Sequence, residues 1–389
     1  MLEGEYGEVE AKCMKLLKAL GEIYEAERMI KISSAHVSGV SYKNIGEPGL
    51  KLLEEFASKG ARAKVRATVN PGGIDSESWV EMGIPESFAE KQLRIYEAFR
   101  RMGFMESLTC TPYEAGNRPM AGEHIAWAET SAQTYANSIL GAKTNRESGI
   151  SALASALTGR TPYYGLHLDE KRKPNLLVEV EDMPRGSLWF GALGYLVGEK
   201  YGMAIPYFKG LKGGSLEEFK ALGAALASSG ASALYHIERV TPEAEKYREV
   251  AEKCEKLRVS VSDLSKVVKE ISAEDNFDCV FLGCPHCSLE RIRQIALMVR
   301  GRSIKSRLWV CTSKAIYREA LKLGYVEAVE RAGGKILKDM CLVVSPLKDL
   351  GVKAVLTDSF KAAHYLPETA GVKVKLSSFE DCIKAALGE

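Results

Sequence analysis

Several classes of protein are excluded by what this sequence lacks. It has no uninterrupted apolar run of about 18 residues, so no segment reads as a membrane-spanning helix. It has no excess of either charge: 53 Lys and Arg against 51 Asp and Glu leave a net +2. General nucleic-acid binding, which uses a strongly basic face, is therefore not expected. The opening MLEGEYGEVEAKCMKLLKAL is acidic and amphipathic rather than basic and then apolar. That excludes a secretory signal and places the expected chain in the cytoplasm. No second CxxC or suitably spaced His pair accompanies Cys284 and Cys287, as a zinc site would need. No complete phosphate-loop pattern, long repeat or disordered tract is found.

What is present is a globular composition: 389 residues, 46% hydrophobic and 27% charged. The length suits two or three packed lobes better than one core. Nine cysteines stand at 13, 110, 254, 279, 284, 287, 311, 341 and 382. The odd count and wide spacing point to thiols or metal ligands rather than a disulfide framework. The charged residues are rich in Lys and Glu, a composition compatible with a thermophile.

Apolar runs alternate with helical periodicity along most of the chain. The pattern predicts helices near 5–25, 49–58, 86–102 and 131–140, and strands near 28–33, 63–69 and 104–109. SSAHVSGVSYKNIGEPG reads as a polar loop. From about 160 onward LLVEVE, MAIPYF, ALYHIE, CVFLGC, RLWVC and AVLTD read as strands separated by helices. The expected fold class is α/β: two to three lobes of mostly parallel sheet with helices on both faces. The expected division is 1–160, 161–270 and 271–389. Ligands in such folds collect beyond the carboxyl ends of strands. Cys110, Cys284, Asn70, Asp358 and the loop at Gly39 all follow predicted strands.

Gly283-Cys284-Pro285-His286-Cys287-Ser288 stands between a strand and a helix, where thiolates are stabilised. It reads either as a metal or redox site or as two buried cysteines at a turn. Cys110 precedes Thr111-Pro112, and Cys341 precedes an apolar run and can equally be core. Three separated cysteines at loop ends can hold an iron–sulfur cluster, although spacing alone does not establish one. Ser38 to Asn44 offers backbone, hydroxyl and ammonium donors to an anion, and Asn70-Pro71-Gly72-Gly73 is a turn or a ligand contact. Ser131, Thr134 and Ser138 share one helix face, which serves close packing or a polar cleft. Glu129 is a cap or a site carboxylate. After AVLTD, Lys361 is a solvated or a site residue, and His364 a structural or a catalytic one.

Together GVSYKNIGEPG, ATVNPGGID, LTCTPYEAGNRP, WAETSAQTYANSILGAKTNRESG, FLGCPHCSLERI and TDSFKAAHY resemble the large subunit of the aconitase X family. The resemblance runs over nearly the whole chain in matching order. It implies an aconitase-like hydro-lyase that dehydrates hydroxy acids with a 4Fe-4S cluster held by Cys110, Cys284 and Cys341. Cys287 is the rival to Cys284. It implies that Gly39, Val40, Ser41, Asn70, Pro71 and Lys361 grip substrate, with Ser131 and Thr134 as further candidates. It implies a separate small swivelling-domain subunit that completes a heterodimer and carries the base, a serine alkoxide, because nothing after Glu389 supplies that domain. The archaeal two-subunit branch implies (R)-5-phosphomevalonate as substrate, converted to trans-anhydromevalonate 5-phosphate in isoprenoid synthesis. The alternative is cis-3-hydroxy-L-proline. A cluster-free binding protein or a zinc-stabilised scaffold is the reading from a different class.

Overall fold

Short apolar segments that end in a glycine or a polar residue become parallel strands, and the stretches of helical period between them pack over the faces. The computed structural model describes residues 1–272 and 276–389. Its strands are β1 (Met29–Lys31), β2 (Ser34–Val37), β3 (Arg66–Val69), β4 (Ala126–Trp127), β5 (Arg160–Pro162), β6 (Leu176–Val180), β7 (Pro206–Lys209), β8 (His236–Ile237), β9 (Glu255–Val259), β10 (Cys279–Leu282), β11 (Arg307–Thr312), β12 (Lys335–Lys338), β13 (Ala354–Thr357) and β14 (Lys373–Leu376).

Three parallel sheets result, in the orders β3-β2-β4, β8-β7-β6-β9 and β12-β11-β10-β13-β14, beside an antiparallel β1–β5 pair. The fold is therefore α/β, with no closed barrel among the described residues. No helix there is long and apolar enough to cross a membrane.

The five-stranded sheet shows how the pattern works. CVFL is buried at every residue of β10. Val280 and Leu282 pack on one face with Ile292 and Phe379. Cys279 and Phe281 face the opposite cluster, which contains Phe360 and Leu366. A strand covered on both sides has to be apolar throughout, as this one is. The larger cluster also takes in Trp127, Phe190 and Phe208, so residues of all three sheets share one core. Arg172, fully buried, pairs with Glu243 and donates to the Asn137, Ala142 and Leu166 carbonyls. It ties the helix of residues Thr130–Ser138 to the middle sheet's surroundings.

The largest departure from the expected pattern is near the N-terminus. Ser34–Val37, expected as loop, is a fully buried strand, and the expected strand over 28–33 is only Met29–Lys31. The following helix starts at Tyr42, capped by Ser41, and bends at Gly46 (φ 57°). The segment 104–109 adds no strand; Leu108 makes a single bridge to Val69.

Candidate functional site

A cavity of about 300 Å³ opens where strand ends of two sheets meet. The three-stranded sheet sets its first wall. In register, His36 lies beside Thr68 and Trp127, so the residues after each strand emerge together: Gly39 to Ser41, Asn70 and Glu129. The five-stranded sheet sets the second wall. Cys284 follows β10, Cys341 follows β12 and Lys361 follows β13.

The two walls are stitched by backbone. Gly72 donates to the Asp339 carbonyl (3.1 Å) and accepts from the Cys341 N–H (3.0 Å). This approach needs glycine: a Cβ on Gly72 would fall 2.0 Å from the Tyr96 hydroxyl. Gly283 is needed for the same kind of reason. Its φ is +110°, and a Cβ there would meet the Cys311 carbonyl at 2.3 Å.

Cys110, Cys284 and Cys341 all line the cavity. Burial pushes the Cys110 thiol up to about 12. A contact with Cys341, together with burial, raises Cys284 well above the usual thiol range. Cys287 lies on the other side of the turn, in the apolar cluster with Leu282 and Ile292. It does not line this cavity.

His286 holds the thiol-bearing segments together. Its ring lies 3.0 Å from the Thr109 hydroxyl (Nδ1) and 2.9 Å from the Met340 carbonyl (Nε2), and its backbone N–H donates to Cys110 Sγ, 3.2 Å away. Since a carbonyl only accepts, His286 Nε2 carries the proton. Burial pushes this histidine down to about 4, so it is neutral near pH 7.

Opposite the thiols stands an ion pair. Lys361 Nζ donates to Glu129 Oε1 and lies 3.5 Å from Ser131 Oγ. Ser131 donates to the same Glu129 oxygen (2.9 Å), and Asn70 Nδ2 donates to Oε2. Burial alone would raise Glu129. The Lys361 charge and these hydrogen bonds outweigh it and draw the carboxyl down to about 2, and the Lys361 ammonium is raised. Glu129 is thus both helix cap and site carboxylate.

Of the residues singled out in the sequence, Gly39, Val40, Ser41, Asn70, Pro71, Lys361 and the three cysteines line one cavity. The Gly39, Val40 and Ser41 N–H groups have no partner among the described residues, and Gly39 has φ +72°. Such a run of N–H groups suits an anion. The Ser41 hydroxyl is already committed to the Val344 carbonyl (2.8 Å). Ser131 braces the ion pair from behind. Thr134 stands apart: it donates to the Thr130 and Ser232 carbonyls and packs against Gly223. The Ser131–Thr134–Ser138 face therefore mainly serves helix packing, with Ser138 accepting from the Tyr235 N–H. His36, Thr68 and Asn117 lie directly behind the site and carry no sequence signature; only a strand assignment for Ser34–Val37 could have drawn attention to His36.

Cys110, Cys284 and Cys341 bring three thiols to one cavity, and thiolates are the ligands that iron–sulfur clusters take. These three thiols would hold such a cluster, with Cys284 and Cys341 in mutual contact.

Comparison with known proteins gives matches to the models of the aconitase X first domain over residues 1–170, second domain over 174–269 and third domain over 277–388. The phosphomevalonate dehydratase large subunit of Methanocaldococcus jannaschii is 48% identical, covering 99% of this chain and 97% of that protein. The cis-3-hydroxy-L-proline dehydratase of Pseudomonas aeruginosa is 33% identical over 100% of this chain and 69% of its own length. The crystal structure of Thermococcus kodakaraensis aconitase X in its holo-form superposes with a TM-score of 0.91 at 45% identity, covering 99% of this chain and 97% of that one.

Proposed function

Because the chain belongs to the aconitase X family, we propose that it is the large subunit of a cytoplasmic phosphomevalonate dehydratase. It works with a small subunit and converts (R)-5-phosphomevalonate to trans-anhydromevalonate 5-phosphate and water. The observation that carries this reading is the 48% identity to a phosphomevalonate dehydratase large subunit along nearly the whole of both chains. The hydroxyproline dehydratase is more distant, at 33%.

Cys110, Cys284 and Cys341 are assigned as ligands of a 4Fe-4S cluster. When bound, such a cluster supplies a Lewis acid for the departing hydroxyl, which alone is a poor leaving group. The rest of the work falls to protein groups. Dehydration breaks the C2–H and C3–O bonds and forms C2=C3. The C2 proton is only weakly acidic, so charge that develops toward the C1 carboxylate needs fixed donors. Lys361 supplies a permanent ammonium, held in place by Glu129. Gly39, Val40 and Ser41 supply backbone N–H groups, and the Asn70 amide keeps one N–H beyond the one given to Glu129.

Glu129 is not assigned as the base. A carboxylate drawn down to about 2 is too weak a base for a carbon acid and is occupied by Lys361. The base is assigned to the small subunit, which also closes the open side of the cavity and excludes water.

The test is product formation by the chain co-expressed with its small subunit under strict anaerobiosis. Proton NMR should show the C2 methylene of (R)-5-phosphomevalonate replaced by one vinylic proton. A complex fully loaded with iron that leaves this substrate unchanged contradicts the proposal.

A further inference from the structure

The imidazole of His36 is fully buried behind the cavity, and its hydrogen bonds define a direction. Nδ1 lies 2.8 Å from Thr68 Oγ1, and Nε2 lies 2.8 Å from Asn70 Oδ1. From the cavity side, Glu129 is an acceptor only, so Asn70 turns its Nδ2 to it and its Oδ1 inward. Oδ1 needs a donor, so the proton of His36 sits on Nε2.

The far end requires the same arrangement. Asn117 Nδ2 donates to the Ala35 carbonyl (3.2 Å) and to Thr68 Oγ1 (2.9 Å). Thr68 then gives its own proton to His36 Nδ1, the nearer of its two acceptors; the Ala35 carbonyl is 3.5 Å away. An acceptor at one end and a donor at the other thus impose one polarity on the chain Asn117–Thr68–His36–Asn70–Glu129. Burial pushes His36 down to about 4, which keeps the neutral form that this polarity requires.

We propose that His36 is a positioning residue for the dehydration: as the Nε2–H tautomer it fixes the Asn70 amide so that the cavity meets an N–H donor and Glu129 stays locked on Lys361. Were the Asn70 amide reversed, its carbonyl oxygen would face the Glu129 carboxylate and the site would present an acceptor to an anionic substrate. The inference rests on the functional reading above for the reaction and the identity of that substrate.

Two measurements test it. The first is ¹⁵N NMR of the full chain labelled at histidine, with the His36 signals identified by their loss in His36→Gln. The expected result is a neutral Nε2–H ring that does not titrate between about pH 5.5 and 8.5, around the usual histidine midpoint. An Nδ1–H tautomer, or titration in that window, overturns the proposal.

The second compares His36→Gln with His36→Asn in the two-subunit holoenzyme. The glutamine amide reaches the Nε2 position and can donate to Asn70; the shorter asparagine ends near Nδ1 and leaves Asn70 Oδ1 without a donor. With (R)-5-phosphomevalonate, kcat/KM should stay within about threefold of wild type in His36→Gln. It should fall by about tenfold or more in His36→Asn, the loss expected from an unmatched buried acceptor. Equal losses in both variants, at matched iron content and thermal midpoint, reduce His36 to core packing and overturn the proposal. If neither variant folds, the wild-type tautomer decides. A wild-type complex with the Nε2–H form that ignores 5-phosphomevalonate leaves the tautomer assignment supported and overturns the functional reading instead.

Discussion

The backbone N–H of His286 lies 3.2 Å from the sulfur of Cys110, although 176 residues separate them. With its ring set between Thr109 and Met340, His286 fixes the segments that carry Cys110, Cys284 and Cys341 relative to one another. The three thiols are thereby arranged by one buried side chain as well as by their strands.

Cluster binding should follow that arrangement. Cys110→Ala, Cys284→Ala and Cys341→Ala should each abolish iron binding and the brown absorbance, whereas Cys287→Ala should retain both. His286→Ala should lower iron occupancy with little change in far-ultraviolet circular dichroism. Iron and acid-labile sulfide on anaerobically purified protein provide the check. A bleached Cys287→Ala beside an iron-loaded Cys284→Ala contradicts the ligand assignment.

The Lys361–Glu129 pair should be strongly coupled. Both side chains are nearly buried, at 11% and 8% exposure. Removing one partner strands the other charge, so Lys361→Met should destabilise the chain by about 3–5 kcal/mol. The double variant with Glu129→Gln should lose less than the sum of the singles, with a coupling of about 0.5–3 kcal/mol. Denaturant unfolding measures both. Lys361→Met should also lower kcat by about a hundredfold or more, the usual loss when a preorganised donor is removed.

Acid sensitivity has a definite sign. The Glu129 carboxyl is depressed from its usual 4.5 to about 2. Its contribution is therefore complete above the unfolded value and is lost as pH falls through the folded one. The stability advantage of wild type over Glu129→Gln should be constant above about pH 5.5 and shrink between about pH 5 and pH 2. Denaturant midpoints across that range give the comparison. A difference that does not change with pH removes Glu129 from the pair.

Gly283→Ala should cost more than a surface substitution. The added methyl meets the Cys311 carbonyl at 2.3 Å, and φ +110° suits glycine. A strained backbone position costs about 1–3 kcal/mol. The shift falls on the residue before Cys284, so iron retention should drop with the thermal midpoint. An unchanged midpoint with full iron content contradicts this account of the turn.

Strands buried on both faces were legible because their residues are apolar throughout; β10 and β13 are examples. The polar residues after those strands were legible as punctuation. β2 was not legible. Its Ser34, His36 and neighbours read as a loop because their partners lie far away in the chain. Ser34 accepts from the Trp127 indole, and His36 bonds Thr68 and Asn70, 32 and 34 residues on. Local composition cannot show that such polar groups are satisfied and buried. Thr134 illustrates the reverse problem. Its spacing from Ser131 is helical, but only the packing against Gly223 shows that it turns toward the neighbouring helix rather than the cavity.

Dehydration of a phosphorylated hydroxy acid is the reaction assigned to this site. It is tested most directly by offering (R)-5-phosphomevalonate and cis-3-hydroxy-L-proline separately to aliquots of one anaerobic two-subunit preparation, with iron assayed on the same sample. Turnover of the phosphorylated substrate alone is the predicted result. Turnover of hydroxyproline alone would keep the mechanism but contradict the substrate assignment.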